Sequence, residues 1–362
     1  MLKIKLSLFV LFIFMDLSIF GQGADLKLVD FHPVSNLRVK QTEILTPKFP
    51  VIDIHTHLRG SAANAAITIE EMDKAGVVQA ISLDGSSKDN FYQKHLEDLR
   101  KESKDRFIVF FAPNFEDIDV PDFGKKEAAK LEEAVKFGCR GLKISKALGL
   151  NHRDKSGKLI PVDDPRIDPI WAKCGELGIP VLIHTADPVA FFSPIDQYNE
   201  RYENLFRRPN WSFADQSKYP TRDELIRQRN NMFARHPNTI FIGAHVADLA
   251  EDLGQVSMWF EQFPNYYADI SARIKELGRQ PFTARRFLIK YQDRILFGTD
   301  WGGEAGGVEM FRMYYRFLET DDEYIDTGGV QGRWMIYGVF LPDEALEKIY
   351  NGNAIKLFKL KK

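Results

Sequence analysis

Short apolar runs alternate with amphipathic stretches through most of the 362-residue chain. Eight runs rich in β-branched and aromatic residues predict buried strands at 51–55, 77–83, 106–112, 139–145, 179–185, 239–245, 266–271 and 294–300. Segments with helical periodicity lie between them, among others 90–103, 125–138, 168–178 and 224–237. This alternation predicts an α/β fold, a closed parallel (β/α)8 TIM-type barrel. An open doubly wound sheet is the disfavoured alternative, because no glycine-rich phosphate loop follows the first strand.

The segment before the first strand has a different character. Two lysines precede an apolar run that ends at Phe20, and this run is shorter than the ~20 residues of a membrane helix. We therefore predict a signal peptide at residues 1–22, an N-terminal lead-in at 23–49 and the barrel at 50–362. The expected product is an exported protein, periplasmic or secreted, with no membrane span after signal removal.

A long insertion separates the fifth and sixth runs by about fifty residues. It leaves from the face of the barrel that carries active sites, so it is predicted to form a lid or pocket wall. Aromatic residues and arginines are frequent in it, and these side chains stack on planar groups and hold carboxylates. Arg201 and Trp211 are its candidate substrate contacts. A satellite hydrophobic cluster or the interface of a homo-oligomer explains the same composition equally well.

The charge balance and the cysteine content limit the ligands and the metal sites that the protein can have. With 49 basic and 51 acidic residues, the formal net charge is −2, which provides no basic field for nucleic acid. Only Cys139 and Cys174 are present, so a disulfide framework or a cysteine-rich metal site is excluded. Any metal site must therefore use histidine and carboxylate ligands, and the expected partner is a small-molecule substrate.

Polar residues collect at the carboxyl ends of the predicted strands, where barrel active sites form. His55 and His57 end the first run, His184 the fifth, His245 the sixth and Asp300 the eighth. Two imidazoles at i and i+2 can share one divalent ion, and nitrogen donors suit zinc and its neighbours. A strand that enters a turn capped by two histidines is the plain alternative. Convergence of five such residues on one mouth favours the metal site.

These residues resemble the amidohydrolase superfamily, in particular its amidohydrolase-related branch of metal-dependent hydrolases, decarboxylases and hydratases. The resemblance extends from about residue 50 to the C-terminus. It implies that His55, His57, His184 and Asp300 hold one divalent metal, usually zinc, with manganese as an alternative. It also implies that His245 is a proton-transfer residue or a ligand of a second metal.

The sequence allows two interpretations for several further residues. Lys143 lies on the fourth strand, where some two-metal relatives carry a carbamylated lysine, but it could instead pair with a carboxylate inside the barrel. Asp269 and Arg273, near the seventh strand, are substrate contacts or salt-bridge partners within the barrel. Arg59, just after the first strand, is a further candidate substrate contact, as Lys143 is in its unmodified form.

The favoured function is a metal-dependent hydrolase that cleaves an ester, lactone or amide bond of a small carbohydrate-derived or aromatic acid. Asp300 would complete the metal site and accept a proton from water, while His245 would steady the oxyanion or protonate the leaving group. A lyase, either a decarboxylase or a dehydratase, would use the same ligands and is the alternative. A non-catalytic binding protein is disfavoured because all five strand-end residues are present.

Overall fold

The computed structural model describes residues 25–27, 30–58, 62–328 and 332–360. The predicted signal peptide and Arg59 lie outside the described residues. The chain divides into two compact units, Met1–Val39 and Lys40–Lys362. The described part of the first unit exposes several apolar side chains, including Phe31 and Val34. The second unit contains the barrel.

Eight parallel strands are arranged in chain order. They are β1 Val51–Thr56, β2 Val77–Ser86, β3 Phe107–Ala112, β4 Leu142–Ile144, β5 Val181–Ile183, β6 Phe241–Gly243, β7 Tyr266–Asp269 and β8 Ile295–Leu296. The chain after β8 also bonds to β1, because Ile54 N–H donates to Phe297 O at 3.1 Å and Asp300 N–H donates to His55 O at 2.8 Å. Every strand lies on a predicted run, and the TIM-type barrel is confirmed.

Helices connect the strands and surround them. They are α1 Ala62–Ala75, α2 Phe91–Glu102, α3 Phe123–Phe137, α4 Asp168–Leu177, α5 Tyr202–Arg207, α6 Arg222–Arg235, α7 Leu253–Gln262, α8 Ile274–Gly278, α9 Pro281–Lys290, α10 Gly307–Glu319, α11 Asp343–Glu347 and α12 Asn353–Phe358, with a π-helical stretch at Lys348–Gly352. The ends follow local chemistry: Thr221 Oγ1 accepts from Glu224 N–H at the start of α6, and Gly178 takes a left-handed conformation after α4. No helix among the described residues is long and apolar enough to cross a membrane.

Two apolar clusters form the core. The larger one joins the strands to the surrounding helices. The smaller one joins strand residues such as Ile54, Leu182 and Leu296 to Leu357 and Phe358 of α12. Apolar packing of this kind holds the strand ends in fixed positions and so positions the polar residues that follow them.

The long insertion after β5 folds into short elements. It contains a helical turn at Val189–Phe192, helix α5 and a second turn at Pro209–Trp211. Asn199 holds its first half together, because its side-chain amide donates to Ala190 O at 2.8 Å and to Pro194 O at 2.9 Å. The predicted insertion is therefore present as an ordered excursion of the chain.

A left-handed turn follows β6. His245, Val246, Ala247 and Asp248 have φ angles of +57°, +58°, +57° and +63°, a conformation that is costly for a β-branched residue such as Val246. Fully buried Arg229 of α6 stabilises the turn, because it donates to Ala247 O at 3.0 Å and pairs with Asp248 Oδ2 at 3.3 Å.

We expect Arg229→Leu to lower the free energy of unfolding by about 3–5 kcal/mol, because it leaves the buried Asp248 carboxylate without its ion-pair partner. Denaturant titration measures the change. Arg227→Leu is the matched control, since the Arg227 side chain is 60% exposed and pairs with Glu224 on the surface. Its loss should stay below about 1 kcal/mol. Equal losses in the two variants would contradict a stabilising role for the buried pair.

Candidate metal centre and active site

Three predicted ligands converge where β1 and β8 end. His55 Nε2 and His57 Nε2 each lie 3.4 Å from Asp300 Oδ1. His55 is fully buried, whereas His57 and Asp300 remain partly accessible to solvent. Asp300 has a φ of +70°, a strained conformation that turns the chain back toward β1. The three donor atoms lie close enough together to hold one metal ion.

Two carboxylates fix the orientation of the imidazoles. His55 Nδ1 lies 2.9 Å from Asp269 Oδ2, and His57 Nδ1 lies 2.9 Å from Asp84 Oδ1. An ionised carboxylate only accepts hydrogen bonds, so each Nδ1 must carry a proton and donate it. Each Nε2 is then left as the ring atom that can donate an electron pair to a metal. Metal-binding histidines are commonly oriented by carboxylates in this way.

This arrangement fits a cation. With both Nδ1 protons bonded to carboxylates, His55 Nε2 and His57 Nε2 each present an electron pair 3.4 Å from Asp300 Oδ1. A proton is one way to relieve their repulsion: although burial opposes its charge, hydrogen bonds with Asp300 and Asp84 raise the pKa of His57. A divalent ion is the other way, and nitrogen and carboxylate donors suit zinc or manganese. Where His57 is protonated, metal binding displaces the proton from its Nε2.

His184, the fourth predicted ligand, interacts with a carboxylate outside the cluster of His55, His57 and Asp300. It follows β5, and its Nε2 lies 3.2 Å from Asp187 Oδ1, while Asp187 also forms an ion pair with Lys146. Its ring centroid lies 4.5 Å from that of His245. Among the described residues, His184 belongs to neither of the clusters with metal-binding spacing. The structure thus brings three of the four predicted ligands together, and metal binding by His184 stays a prediction.

His245 lies at the end of β6, on the left-handed turn. Its backbone N–H donates to Asp269 Oδ1 at 2.9 Å, and its Nδ1 lies 2.9 Å from Ser271 O. A carbonyl oxygen can only accept, so Nδ1 carries the proton and Nε2 is free to accept one. Burial, together with the charges of His184 and Arg273, lowers the pKa of His245 well below its usual value. His245 is therefore a neutral imidazole that can take up a proton.

Lys143 lies on β4 beside the cluster. Its Nζ is 3.5 Å from His55 Nε2, and burial lowers the pKa of Lys143 to about 8. Lys143 forms no ion pair with a carboxylate among the described residues. Its interpretation as a salt-bridge residue within the barrel therefore finds no support there. His55, His245 and Asp269 also have metal-binding spacing, and the two-metal alternative with carbamylated Lys143 stays a prediction.

A cavity of about 160 Å³ opens beside these residues. His184, His245 and Asp300 form its inner wall, and the insertion contributes Phe191 and Trp211, whose rings stack at 6.1 Å. The other residues that line it are Lys146, Asp187, Pro188, Arg201, Asn204, Ala272 and Arg273. The insertion therefore forms a pocket wall, as predicted.

The predicted substrate contacts differ in their exposure to this cavity. Arg201, Trp211 and Arg273 line it. Asp269 does not, because it is fully buried and its oxygens accept from His55, His245 and Ser271. This geometry agrees with the reading of Asp269 as a partner within the barrel and leaves no oxygen facing a substrate.

Sequence reasoning missed three residues that shape the site. Asp84 directly follows the apolar run of β2, so its place at a strand end was a usable signal. Asp187 lies three residues after His184, which is close enough to suggest a partnership. Ser271 gave no signal, although its carbonyl oxygen and its Oγ both lie 2.9 Å from His245 Nδ1, because a serine after a strand is common and half of this contact is made by the backbone.

The amidohydrolase family model Amidohydro_2 matches residues 52–360. The chain belongs to the amidohydrolase family. Membership of this family places the chain among metal-dependent enzymes, and the cluster of His55, His57 and Asp300 is where a metal could be held. No curated protein matches this amidohydrolase in sequence.

Solved structures share its fold. The complex of 2,6-dihydroxybenzoate decarboxylase with 2,6-dihydroxybenzoate is 17% identical, with a TM-score of 0.55, and the match covers 86% of this chain and 99% of that one. A dihydroxybenzoic acid decarboxylase from Polaromonas sp. JS666, with bound manganese and 2-nitroresorcinol, is 16% identical, with a TM-score of 0.55 over 86% and 98% of the chains. IDCase from Metarhizium anisopliae is 14% identical, with a TM-score of 0.52 over 87% and 98%. At these identities the likeness shows a shared barrel.

We expect the double variant His55→Ala/His57→Ala to lose its bound divalent metal, because two of the three converging donors are removed. Elemental analysis of purified protein measures metal per chain. The double variant His152→Ala/His236→Ala is the control, because these histidines lie on connecting segments away from the strand ends. Unchanged metal content in the first variant would contradict the assignment of the site.

We expect Asp84→Asn to weaken metal binding by about 10- to 100-fold, because the neutral amide holds the His57 ring less firmly and makes its Nε2 a weaker donor. Competition with a chelating dye measures the affinity. Asp89→Asn makes the same chemical change at an exposed position in the connection between β2 and α2, and should leave the affinity unchanged. Equal affinities for both variants would show that Asp84 does not support the ligand.

Proposed function

We propose that this amidohydrolase is a divalent-metal-dependent hydrolase that cleaves an ester, lactone or amide bond of a small carbohydrate-derived or aromatic acid. One observation carries the proposal: the groups beside the cavity that can move protons begin as acceptors. His245 offers a bare Nε2, since its Nδ1 donates to Ser271 O. Although burial opposes ionisation, the hydrogen bond with His57 and the charge of His55 hold the pKa of Asp300 below its usual range.

Proton acceptors suit hydrolysis, because attack by water begins with the loss of a proton from water. A divalent ion held by His55, His57 and Asp300 would supply a Lewis acid and would lower the pKa of the water that it binds. Asp300 accepts the proton as the water oxygen attacks the carbonyl carbon. His245 takes that proton at Nε2 and delivers it to the leaving oxygen or nitrogen as the bond breaks. Neutral His245 can donate to an oxyanion from Nε2 only after it has taken up this proton, so proton transfer is its first role.

The cavity walls support a small planar or cyclic acid. Phe191 and Trp211 offer stacking surfaces, and Arg273 contributes positive charge. A volume of about 160 Å³ corresponds to roughly five water molecules in the liquid, so a single ring fills it. Zinc is the proposed ion, one per chain, and manganese is the alternative because the Polaromonas structure holds it. We also propose that the protein is exported from the cytoplasm, because an apolar run lies at its N-terminus.

Decarboxylation is the second candidate. The decarboxylases of similar fold act on dihydroxybenzoates, which are planar acids of a size that suits the cavity and its aromatic wall. Loss of CO₂ from an aromatic ring requires a proton to be delivered to a ring carbon. Neutral His245 and ionised Asp300 must first acquire that proton, which is why hydrolysis is preferred.

A substrate panel separates the two candidates. Purified metal-loaded protein is incubated with lactones, aryl esters, unsaturated uronic acids and dihydroxybenzoates, and acid release, water loss and CO₂ release are measured together. We expect one new acid group per bond cleaved and no CO₂. Release of CO₂, or loss of water without bond hydrolysis, would replace the hydrolase with a lyase.

We expect His245→Ala to lower turnover by about 10²- to 10⁴-fold while metal per chain stays unchanged, because His245 moves a proton and the ion has its own ligands. Turnover and metal content are measured on the same sample. His32→Ala, an exposed histidine outside the barrel unit, is the control. Loss of one metal equivalent in His245→Ala would show a two-metal site in which His245 is a ligand.

A further inference from the structure

Arg273 is a buried guanidinium that faces the cavity. The residue is 7% exposed and lines the cavity together with His245 and Asp300. It forms no ion pair with any carboxylate of the described residues, and its Nη1 donates to Ala272 O at 2.7 Å. A carbonyl oxygen leaves the positive charge unneutralised. Burial of such a charge is unfavourable unless an anion accompanies it.

The other lysine and arginine side chains that line the cavity have carboxylate partners, and so has nearby Arg279. Arg201 forms a buried ion pair with Glu276, Lys146 pairs with Asp187, and Arg279 pairs with Glu200 at 2.9 Å. The Trp334 ring also lies against two of these cations, 5.0 Å from the guanidinium of Arg201 and 3.9 Å from that of Arg279. Their charges are thus balanced within the protein. Among the lysines and arginines that line the cavity, Arg273 is therefore the one without a carboxylate partner in the described part of the chain.

The backbone holds Arg273 in place. Ala272 has a φ of +51°, a strained conformation for a residue with a Cβ, and its N–H donates to Tyr314 Oη at 2.7 Å. Ser271, one residue earlier, donates its N–H to Asp269 Oδ1 at 3.0 Å. The segment that carries Arg273 is therefore tied to the same carboxylate that orients His55. Its guanidinium is fixed beside the reacting groups, and no carboxylate in the described part of the chain pairs with it.

We propose that Arg273 binds a carboxylate of the substrate, and that this carboxylate is separate from the group that meets the metal. The inference rests on the proposed function, because it assigns a substrate class to the same cavity. The substrate is then a small acid with two recognition points, a reactive group toward Asp300 and a carboxylate toward Arg273. Arg201, whose charge Glu276 neutralises, joins the insertion to α8 and does not select the anion.

Benzoate and benzamide are the probes. They have nearly the same shape, fit a single-ring cavity and differ in charge. Isothermal titration calorimetry measures both affinities on the metal-loaded full-length protein, on Arg273→Gln and Arg273→Lys, and on Arg279→Gln as the control. Metal per chain is determined for every sample, so that loss of a metal contact is not mistaken for loss of Arg273. Melting temperatures are recorded alongside.

We expect the native protein and Arg279→Gln to prefer benzoate over benzamide by about 10- to 100-fold, the range of a charge-assisted hydrogen bond. Arg273→Gln should lose most of that preference, and Arg273→Lys should keep part of it, because it retains the charge and loses the planar fork. The melting temperature of Arg273→Gln should not fall, because an unpaired buried charge is removed.

Three results would overturn the inference. The first is an unchanged preference for benzoate in Arg273→Gln, which would assign the anion to the metal or to another cation. The second is the absence of a preference in the native protein. The third is a fall in the melting temperature of Arg273→Gln that Arg273→Lys restores, which would make the role structural. Probe binding requires no turnover, so a substrate panel without hydrolysis would refute the proposed function and leave this inference standing.

Discussion

The site depends on one buried carboxylate. Asp269, at the end of β7, accepts hydrogen bonds from the His55 ring, the His245 backbone and Ser271, and so connects β7 to β1 and β6. Burial alone would raise the pKa of Asp269, but the charge of His55 and the hydrogen bonds from His55 and Ser271 hold it below its usual range. An ionised Asp269 fixes the proton of His55 on Nδ1 and leaves Nε2 for a metal. The orientation of His55 as a metal ligand and the position of the His245 backbone therefore both depend on Asp269.

Backbone strain is the cost of bringing the side chains together. Residues with a Cβ adopt left-handed conformations after β6, β7 and β8, at His245, Ala272 and Asp300. Such conformations persist only where surrounding contacts enforce them. Buried Arg229 enforces the first of them from outside the barrel, and Asp269 does so from within. The fold and the site are thus coupled, because the contacts that stabilise one also set the geometry of the other.

The sequence predicted the barrel and most of the site because both follow from regular spacing. Apolar runs give the strands, and polar residues at the ends of parallel strands must meet, so His55 and His57 could be found without coordinates. Residues that act through their backbone leave no such pattern, and Ser271, whose carbonyl oxygen lies beside the His245 ring, is an example. The two readings of Arg273 could not be separated either, because the absence of a carboxylate partner is a property of three-dimensional packing.

The distribution of charge in the cavity links the binding of an acid to the binding of a metal. Asp84, Asp269 and Asp300 make the inner end acidic, whereas Arg273 adds positive charge to the outer part. Without a divalent ion, the inner carboxylates repel an anionic substrate across a short distance in a medium of low dielectric constant. Once an ion balances that charge, the same substrate meets positive charge at both ends. Under the proposed function, a bound metal would therefore strengthen binding of the acid even where the two do not touch.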